Sequence, residues 1–280
     1  EVQYHSSSSV SQPVPFSPAG VGPIPIPKNI DAALDDPLYG NNWKEACIEE
    51  IRGKFFINKA WEYVKSLPPG RKAMKGKWTF KIEYNQDGTV KRFKARWVGC
   101  GYSQIAGVDF GETYASTLGS ASMRSLLAAA AALDLEIEEG DTIKAFSSVS
   151  IGAHELYVEM PHRFETKGMV ACKLLMALEG TKQAAALYFA ASAKCISGLG
   201  YTRSMVEPNI YFKTVNGTDI KVAVYVDNIL SFYPKTTAGK QLNEEFWVGF
   251  GKTFNVQRRG SPRLFMGIEL SRNRGEGTLT

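Results

Sequence analysis

Two short acidic motifs carry the residue types that phosphoryl transfer requires. Asp141 lies in Gly140-Asp141-Thr142-Ile143-Lys144-Ala145-Phe146, an acid at the end of an apolar strand with an aromatic five residues on. Asp227 lies in Tyr225-Val226-Asp227-Asn228, a polar tip between two apolar runs. Alone, each has a plain structural reading: a solvated acid ahead of a core phenylalanine, and a hairpin with an Asp-Asn turn. Together they place one carboxylate at a strand end and another at an adjacent hairpin tip. Two Mg²⁺ ions about 3.5–4 Å apart need such bridging carboxylates, one ion activating a 3′-hydroxyl and the other holding a triphosphate and the leaving pyrophosphate. Asp supplies the hard oxygen ligands that Mg²⁺ takes in near-octahedral geometry.

The elements that would position these acids can be read from periodicity. Residues 136–146 read as a strand with Ile137 and Ile143 among its apolar positions. Strands at 210–214 and 220–226 flank an Asn216-Gly217 turn, and a second tight turn at Asp227-Asn228 leads into 229–233. Trp78, Phe80, Ile82 and Tyr84 alternate with polar residues, the pattern of a half-buried strand; a turn at 85–88 returns it through 89–102. Short strands follow at 156–159 and 265–270. Helical spacing marks 42–55, with Asn41 or Asn42 as N-cap, an alanine-rich stretch at 122–135, and 183–197. Pro68-Pro69-Gly70 breaks the chain. Strands and helices mix without strict alternation, so the fold class is α+β rather than a doubly wound sheet.

Composition narrows the function classes. The 280 residues are 44% hydrophobic and 22% charged with net charge +5, which excludes a disordered or collagen-like chain. The longest aliphatic run, 126–133, has eight residues, far short of the roughly 20 a bilayer needs, so no membrane partner is expected. The charge is unevenly spread. Arg71, Lys72, Lys75, Lys77, Lys81, Lys91, Arg92, Lys94 and Arg96 meet only Glu83 and Asp87, giving +7 to a segment that is mostly a β-hairpin. Residues 133–141 hold five acids and no base. Cys47, Cys100, Cys172 and Cys195 form no CxxC pair and have no zinc spacing with His, which predicts a reduced intracellular protein, cytoplasmic or nuclear. No signal peptide is visible, and the Ser- and Pro-rich residues 1–30 read as a disordered tail or linker.

With these motifs in order, the chain resembles the reverse transcriptase domain of copia-type LTR retrotransposons over residues 32–270. Trp43-Lys44-Glu45-Ala46 with Glu49-Glu50-Ile51 matches the opening helix of that family. Lys77-Trp78-Thr79-Phe80-Lys81, Asp87-Gly88 and Arg92-Phe93-Lys94-Ala95-Arg96-Trp97-Val98 match its fingers hairpin. Gly101-Tyr102-Ser103-Gln104, Gly107-Val108-Asp109-Phe110 and Glu112-Thr113-Tyr114 follow. Residues 141–146 resemble the first catalytic motif, 178–183 the template-and-nucleotide loop, 225–228 the YxDD box and 265–270 the primer grip.

The resemblance implies a right-hand polymerase with fingers at 31–118, a palm with interleaved fingers elements at 119–234, and the start of a partial thumb with the primer grip at 235–280. It implies Asp141 and Asp227 as catalytic metal ligands for Mg²⁺ or Mn²⁺. Lys94, Arg96, Phe146, Lys182 and Gln183 become the nucleotide or template contacts, with Phe146 selecting deoxynucleotides, and Met266 and Gly267 the primer contacts. The implied partners are an RNA or DNA primer–template and a deoxynucleoside triphosphate.

Departures from the family pattern cluster at these same places. Asn228 stands at the second catalytic aspartate, Ser147-Ser148-Val149 where Leu-Asn-Gly is usual, and Glu179 inside the nucleotide loop. The loop is followed by Ala184-Ala185-Ala186 in place of proline and arginine. An amide cannot supply the missing negative charge, so the expectation is an intact fold with impaired two-metal polymerase activity. The alternative is a non-catalytic nucleic-acid-binding or structural module that keeps the scaffold, its basic hairpin serving RNA, DNA or an acidic protein partner. Only ten residues follow Leu270, too few for a ribonuclease H domain, so none is expected here.

Overall fold

Asn29 caps the first helix, α1 (Ile30–Leu34), its side-chain oxygen accepting the Ala32 N–H at 2.8 Å. Asp36 then accepts the N–H groups of Leu38 and Tyr39 on its side chain and that of Gly40 on its carbonyl, which starts α2 (Gly40–Ile51) ahead of the predicted asparagine cap. Asn41 and Asn42 consequently lie inside the first turn, and Tyr39 is the N-cap without a side-chain bond. Trp43, Ala46, Cys47 and Glu50 form the buried stripe of α2. These elements belong to a computed structural model, which describes residues 24–85, 87–152 and 154–279. The serine run and first prolines of the predicted tail lie outside the described residues. Ile24, predicted to be tail, is instead buried with Ala33, Trp43 and Ile82, because its apolar side chain fills the gap between α2 and the hairpin that follows.

A π-helical turn (Arg52–Ile57) extends α2 and carries Lys54, whose ammonium is fully buried. It lies 2.7 Å from Glu50 Oε1 and donates to the Trp97 carbonyl at 2.7 Å, satisfying a charge that would otherwise be costly to bury. After β1 (Trp61–Val64) come β2 (Gly76–Tyr84) and β3 (Val90–Gly99), an antiparallel hairpin in which Trp78 faces Trp97 and Lys81 faces Lys94. Trp78, Ile82, Ala95 and Trp97 are buried, so alternation places the basic residues on the opposite face.

Further along are α3 (Ser120–Ala132), β4 (Glu136–Thr142), β5 (Tyr157–Val158), β6 (Ala171–Leu174) and α4 (Ala184–Gly198). The strands β7 (Thr202–Arg203), β8 (Ile210–Val215), β9 (Thr218–Tyr225) and β10 (Asn228–Tyr233) lead to α5 (Thr237–Gly251), which Thr236 caps by accepting the Gly239 N–H at 3.1 Å. Last are β11 (Val256–Gly260) and two small hairpins, β12 (Leu264–Phe265) with β13 (Ile268–Glu269) and β14 (Arg272–Asn273) with β15 (Thr278–Leu279). The central sheet has the order β11-β4-β10-β9-β8-β7 with every neighbouring pair antiparallel, and a second sheet runs β1-β6-β5. The architecture is α+β, as the mixed order of elements predicts.

Both faces of the central sheet are covered, which explains the unbroken apolar runs in β9 and β10. Val222, Val224 and Ile229 pack with Tyr188 of α4 and Phe246, Trp247 and Phe250 of α5. On the other face, Ala223, Leu230, Phe232 and Ile137 pack with Met123, Leu127 and Ala130 of α3, together with Phe265. Glu138 reaches the α5 side, where it accepts from Asn243 at 2.6 Å and from Arg258 at 2.7 and 3.1 Å.

Two compact units divide the chain. One holds the residues up to Ser103 and Leu156–Lys173; the other holds Gln104–Glu155 and Leu174–Thr280. Residues from 235 onward join the second unit because α5 caps its sheet and β11 extends it. β4 is shorter than the predicted 136–146, since Lys144 turns into the left-handed region at φ 54° and Phe146 opens a 3₁₀ turn. Residues 265–270 form a hairpin rather than one strand. Met266 and Gly267 both take positive φ, 51° and 76°, as a two-residue primed turn requires. Among the described residues no helix is long and apolar enough to cross a membrane.

Gly140 in β4 is where α5 lies closest to the sheet. A Cβ there would come 2.6 Å from the Trp247 ring and 3.2 Å from Val256. Gly140→Ala is expected to lower unfolding free energy by about 1–3 kcal/mol, the range for overpacking a filled core. Urea titration checks it, and an unchanged midpoint would show that Trp247 moves aside freely.

Candidate active site

The strand ends bring the acidic motifs together through the backbone. β4 and β10 pair with Asp141 opposite Asn228 and Gly140 opposite Ile229, and Asn228 also faces Tyr225 on β9. The Thr142 N–H donates to the Asp227 carbonyl at 2.8 Å, joining the end of β4 to the hairpin tip. The turn itself is Val226-Asp227 rather than the predicted Asp227-Asn228, and Asn228 is the first residue of β10. Val226 has φ 55°, a left-handed conformation that strains a β-branched residue and that persists only where the surroundings impose it. As cross-strand partners, Asn228 and Asp141 project from the same face of the sheet.

The charges around Asp141 include two residues that the motifs did not reveal. Arg259 of β11 places Nη2 3.0 Å from Asp141 Oδ2 and Nη1 3.2 Å from Glu139 Oε1. Glu139 is buried, and burial pushes its carboxyl above the ordinary range against the opposing pull of Arg259. Arg259 is distant from the acidic segment in sequence, so no local pattern signalled this contact. Asn228 Nδ2 donates to Asp227 Oδ1 at 3.3 Å, so the amide serves here as a donor to the carboxylate. Among the described residues, no group of three or more His, Cys, Asp or Glu side chains is arranged to hold a metal ion. Two carboxylates, one of them held by a guanidinium, do not fit a pair of divalent ions.

The other predicted contacts of the second unit fall into two groups. Phe146 is half-buried beside the site, edge-on to Tyr188 at 6.1 Å, and the Tyr188 hydroxyl donates to Thr142 Oγ1 at 2.8 Å. Burial pushes the Tyr188 phenol well above its ordinary range, so this donor stays protonated. Gln183, by contrast, is buried and committed. Its amide donates to the Asp109 carbonyl at 3.0 Å and accepts from Gln104 at 2.9 Å, while Gln104 accepts the Lys182 N–H at 2.8 Å. Gln183 pins the 104–110 loop, and only Lys182 of that predicted pair is exposed, its ammonium 4.5 Å from the Phe110 ring centre. The Met266-Gly267 turn is tied to the β9–β10 hairpin through Phe265, whose ring meets that of Tyr225 edge-on at 6.1 Å.

In the first unit, Lys77, Lys81, Lys94 and Arg96 lie on the solvent face of the β2–β3 hairpin together with Arg92 and Glu83. Arg96 is exposed, whereas Lys94 is tethered: its Nζ is 3.0 Å from Glu83 Oε1, and Arg92 Nε is 2.7 Å from Glu83 Oε2. The hydrogen bond from Arg92, reinforced by Lys94, pulls the Glu83 carboxyl down to about 2. The hairpin register, with Glu83 opposite Arg92, was the signal that could have found this pairing.

Residues 58–280 match the family described as reverse transcriptase (RNA-dependent DNA polymerase). The retrovirus-related Pol polyprotein from transposon TNT 1-94 of Nicotiana tabacum is 31% identical over 252 residues, which cover 89% of this chain and 18% of that protein. The Pol polyprotein from transposon RE2 of Arabidopsis thaliana is 28% identical over 245 residues, covering 87% and 16% respectively. A solved foamy viral protease-reverse transcriptase in complex with double-stranded DNA aligns over 83% of this chain and 34% of that one, at 12% identity and a TM-score of 0.41. The chain thus spans less than a fifth of the length of these curated relatives.

Glu83 makes a testable contribution to stability. Its folded-state pKa lies below the ordinary 4.5, so its pairs stabilise the protein above that pH and are lost as pH falls toward 2. Glu83→Gln is expected to melt below the parent at neutral pH, with the difference closing between about pH 4.5 and 2. Thermal melts across that interval check this, and a pH-independent difference would refute it.

Proposed function

Because the chain belongs to the reverse transcriptase family, as a copia-type member, we propose that it is the RNA-directed DNA polymerase domain of a copia-type retroelement whose nucleotidyl transfer is impaired at Asn228. The reaction of such a domain is attack of a primer 3′-hydroxyl on the α-phosphorus of a deoxynucleoside triphosphate with release of pyrophosphate; Asp141 and Asp227 would be the residues to hold a divalent ion, which would supply electrostatic stabilisation, and a carboxylate at 228 would add to that set. The chain's own residues divide the remaining tasks. Arg96, exposed on the basic hairpin face, suits a triphosphate oxygen by its planar fork, and Lys94 joins it once released from Glu83. Phe146, held edge-on by Tyr188, presents a rigid apolar wall suited to excluding a 2′-hydroxyl. The Met266-Gly267 turn, anchored through Phe265, suits the primer backbone.

The observation that carries this reading is the β4–β10 register, which sets Asp141 beside the Asp227-Asn228 tip. The same observation carries the impairment: at this tip the third side chain is an amide that donates to Asp227. An Asn228→Asp variant is expected to extend a primer on an RNA template at least about tenfold faster than the parent, a gain of about 1.4 kcal/mol at the barrier. Gel-resolved primer extension with Mg²⁺ and with Mn²⁺ tests this. Equal and rapid extension by the parent would refute the impairment.

The basic face of the β2–β3 hairpin favours a second reading, a nucleic-acid-binding module without catalysis. If Asn228→Asp remains inactive while both proteins bind primer–template with steep salt dependence, this second reading holds.

A further inference from the structure

The donor set at Asp141 is short of the charge that two divalent ions need, and the structure shows a cation of the protein's own in contact with it. We propose that Arg259 is a resident counter-ion of Asp141 that competes directly with a divalent cation for that carboxylate. The inference deepens the polymerase reading and rests on it.

Three features make the contact a built one. Residues Glu139 and Asp141 are two apart on β4 and so project from one face, spaced for the two ends of a guanidinium. Arg259 bridges them at 3.2 and 3.0 Å. β11 also carries a bulge at this point: Arg258 pairs with Gly140 and Gly260 with Glu139, which leaves Arg259 as the extra residue. Gly260 supplies φ 75°, a conformation that glycine tolerates, and a bulge re-aims the side chain it carries. Glu139, only 10% exposed, holds the second guanidinium nitrogen, so the cation is anchored even when Asp141 is pulled away. Arg258, one residue earlier, points to the opposite face and pairs with Glu138 and Glu244, which makes it an internal control.

A divalent ion reaching Asp141 must displace Nη2 and then sit beside a guanidinium that Glu139 keeps nearby. Electrostatic repulsion between the two cations lowers affinity, and removal of the arginine charge relieves it.

Mn²⁺ binding to the full 280-residue chain, read from the electron paramagnetic resonance signal of the free hexaaqua ion, tests the proposal without requiring turnover. Arg259→Gln is expected to tighten Mn²⁺ binding about tenfold. The gain should vanish when Asp141→Asn is added. Arg258→Gln should lower the melting temperature and leave Mn²⁺ affinity unchanged. If Arg259→Gln does not fold, Arg259→Lys serves: it keeps the charge but loses the two-pronged contact, and a smaller tightening is expected. Unchanged affinity in a folded Arg259 variant overturns the proposal, as does a gain that survives Asp141→Asn. If Asn228→Asp tightens Mn²⁺ while the Arg259 variants do not, the polymerase site stands and only the counter-ion role falls. If no variant, Asn228→Asp included, binds Mn²⁺, both readings fall.

Discussion

The antiparallel pairing of β4 with β10 fixes which side of the central sheet every polar residue near the site occupies. Because side chains alternate, a slip of one residue would move Asp141 to the face covered by α5 and bring Gly140 to the face that α3 covers. Two independent contacts forbid that slip. Trp247 lies so close to Gly140 that a side chain there would have to displace its ring. Thr142 donates its N–H to Asp227 on one side of the strand end and accepts the Tyr188 hydroxyl on its own side chain. Asp141 is thus placed by what its neighbours Gly140 and Thr142 must do.

The acidic segment 133–141 divides accordingly. Glu138 faces α5 and is satisfied by Asn243 and Arg258, while Ser231 donates to Asn243 at 2.6 Å and closes the network. Such a network is tolerable in a core only because each member has a partner. Glu139 and Asp141 face the other way and meet Arg259. Two consecutive arginines on one strand thus answer two sets of acids on opposite faces, one set buried under a helix and one at the candidate site. The alternation of a strand already sends consecutive residues to opposite faces, and the bulge after Arg258 leaves Arg259 without a cross-strand partner of its own.

Much of this was legible in the sequence. The apolar runs of β9 and β10, the Asn216-Gly217 turn and the alternation around Trp78 each have one dominant physical reading, and the structure carries all three. Family motifs added the placement of Asp141 beside the 225–228 hairpin. What stayed hidden depends on partners distant in sequence. Helix α2 starts early because Asp36 turns the chain before the asparagines. Gln183 looks like a free polar residue in a loop, yet Gln104 and Asp109, more than seventy positions away, consume its amide. Lys94 looks like a free cation until the hairpin register sets Glu83 within reach. Arg259 belongs to a strand whose bulge leaves no periodic trace.

These contacts also separate the residues that packing demands from those it does not. Gly140, Gln183 and Tyr188 each answer a neighbour within the fold, so changing any of them disturbs the protein whether or not it meets a substrate. Position 228 is different. An aspartate there would set a third carboxylate beside Asp141 and Asp227 and add a like charge next to both. Asparagine removes the like-charge repulsion and donates a hydrogen bond to Asp227 instead. At this strand end the carboxylates are fixed by backbone register, a protein cation contacts Asp141, and an amide stands where a further charge would repel.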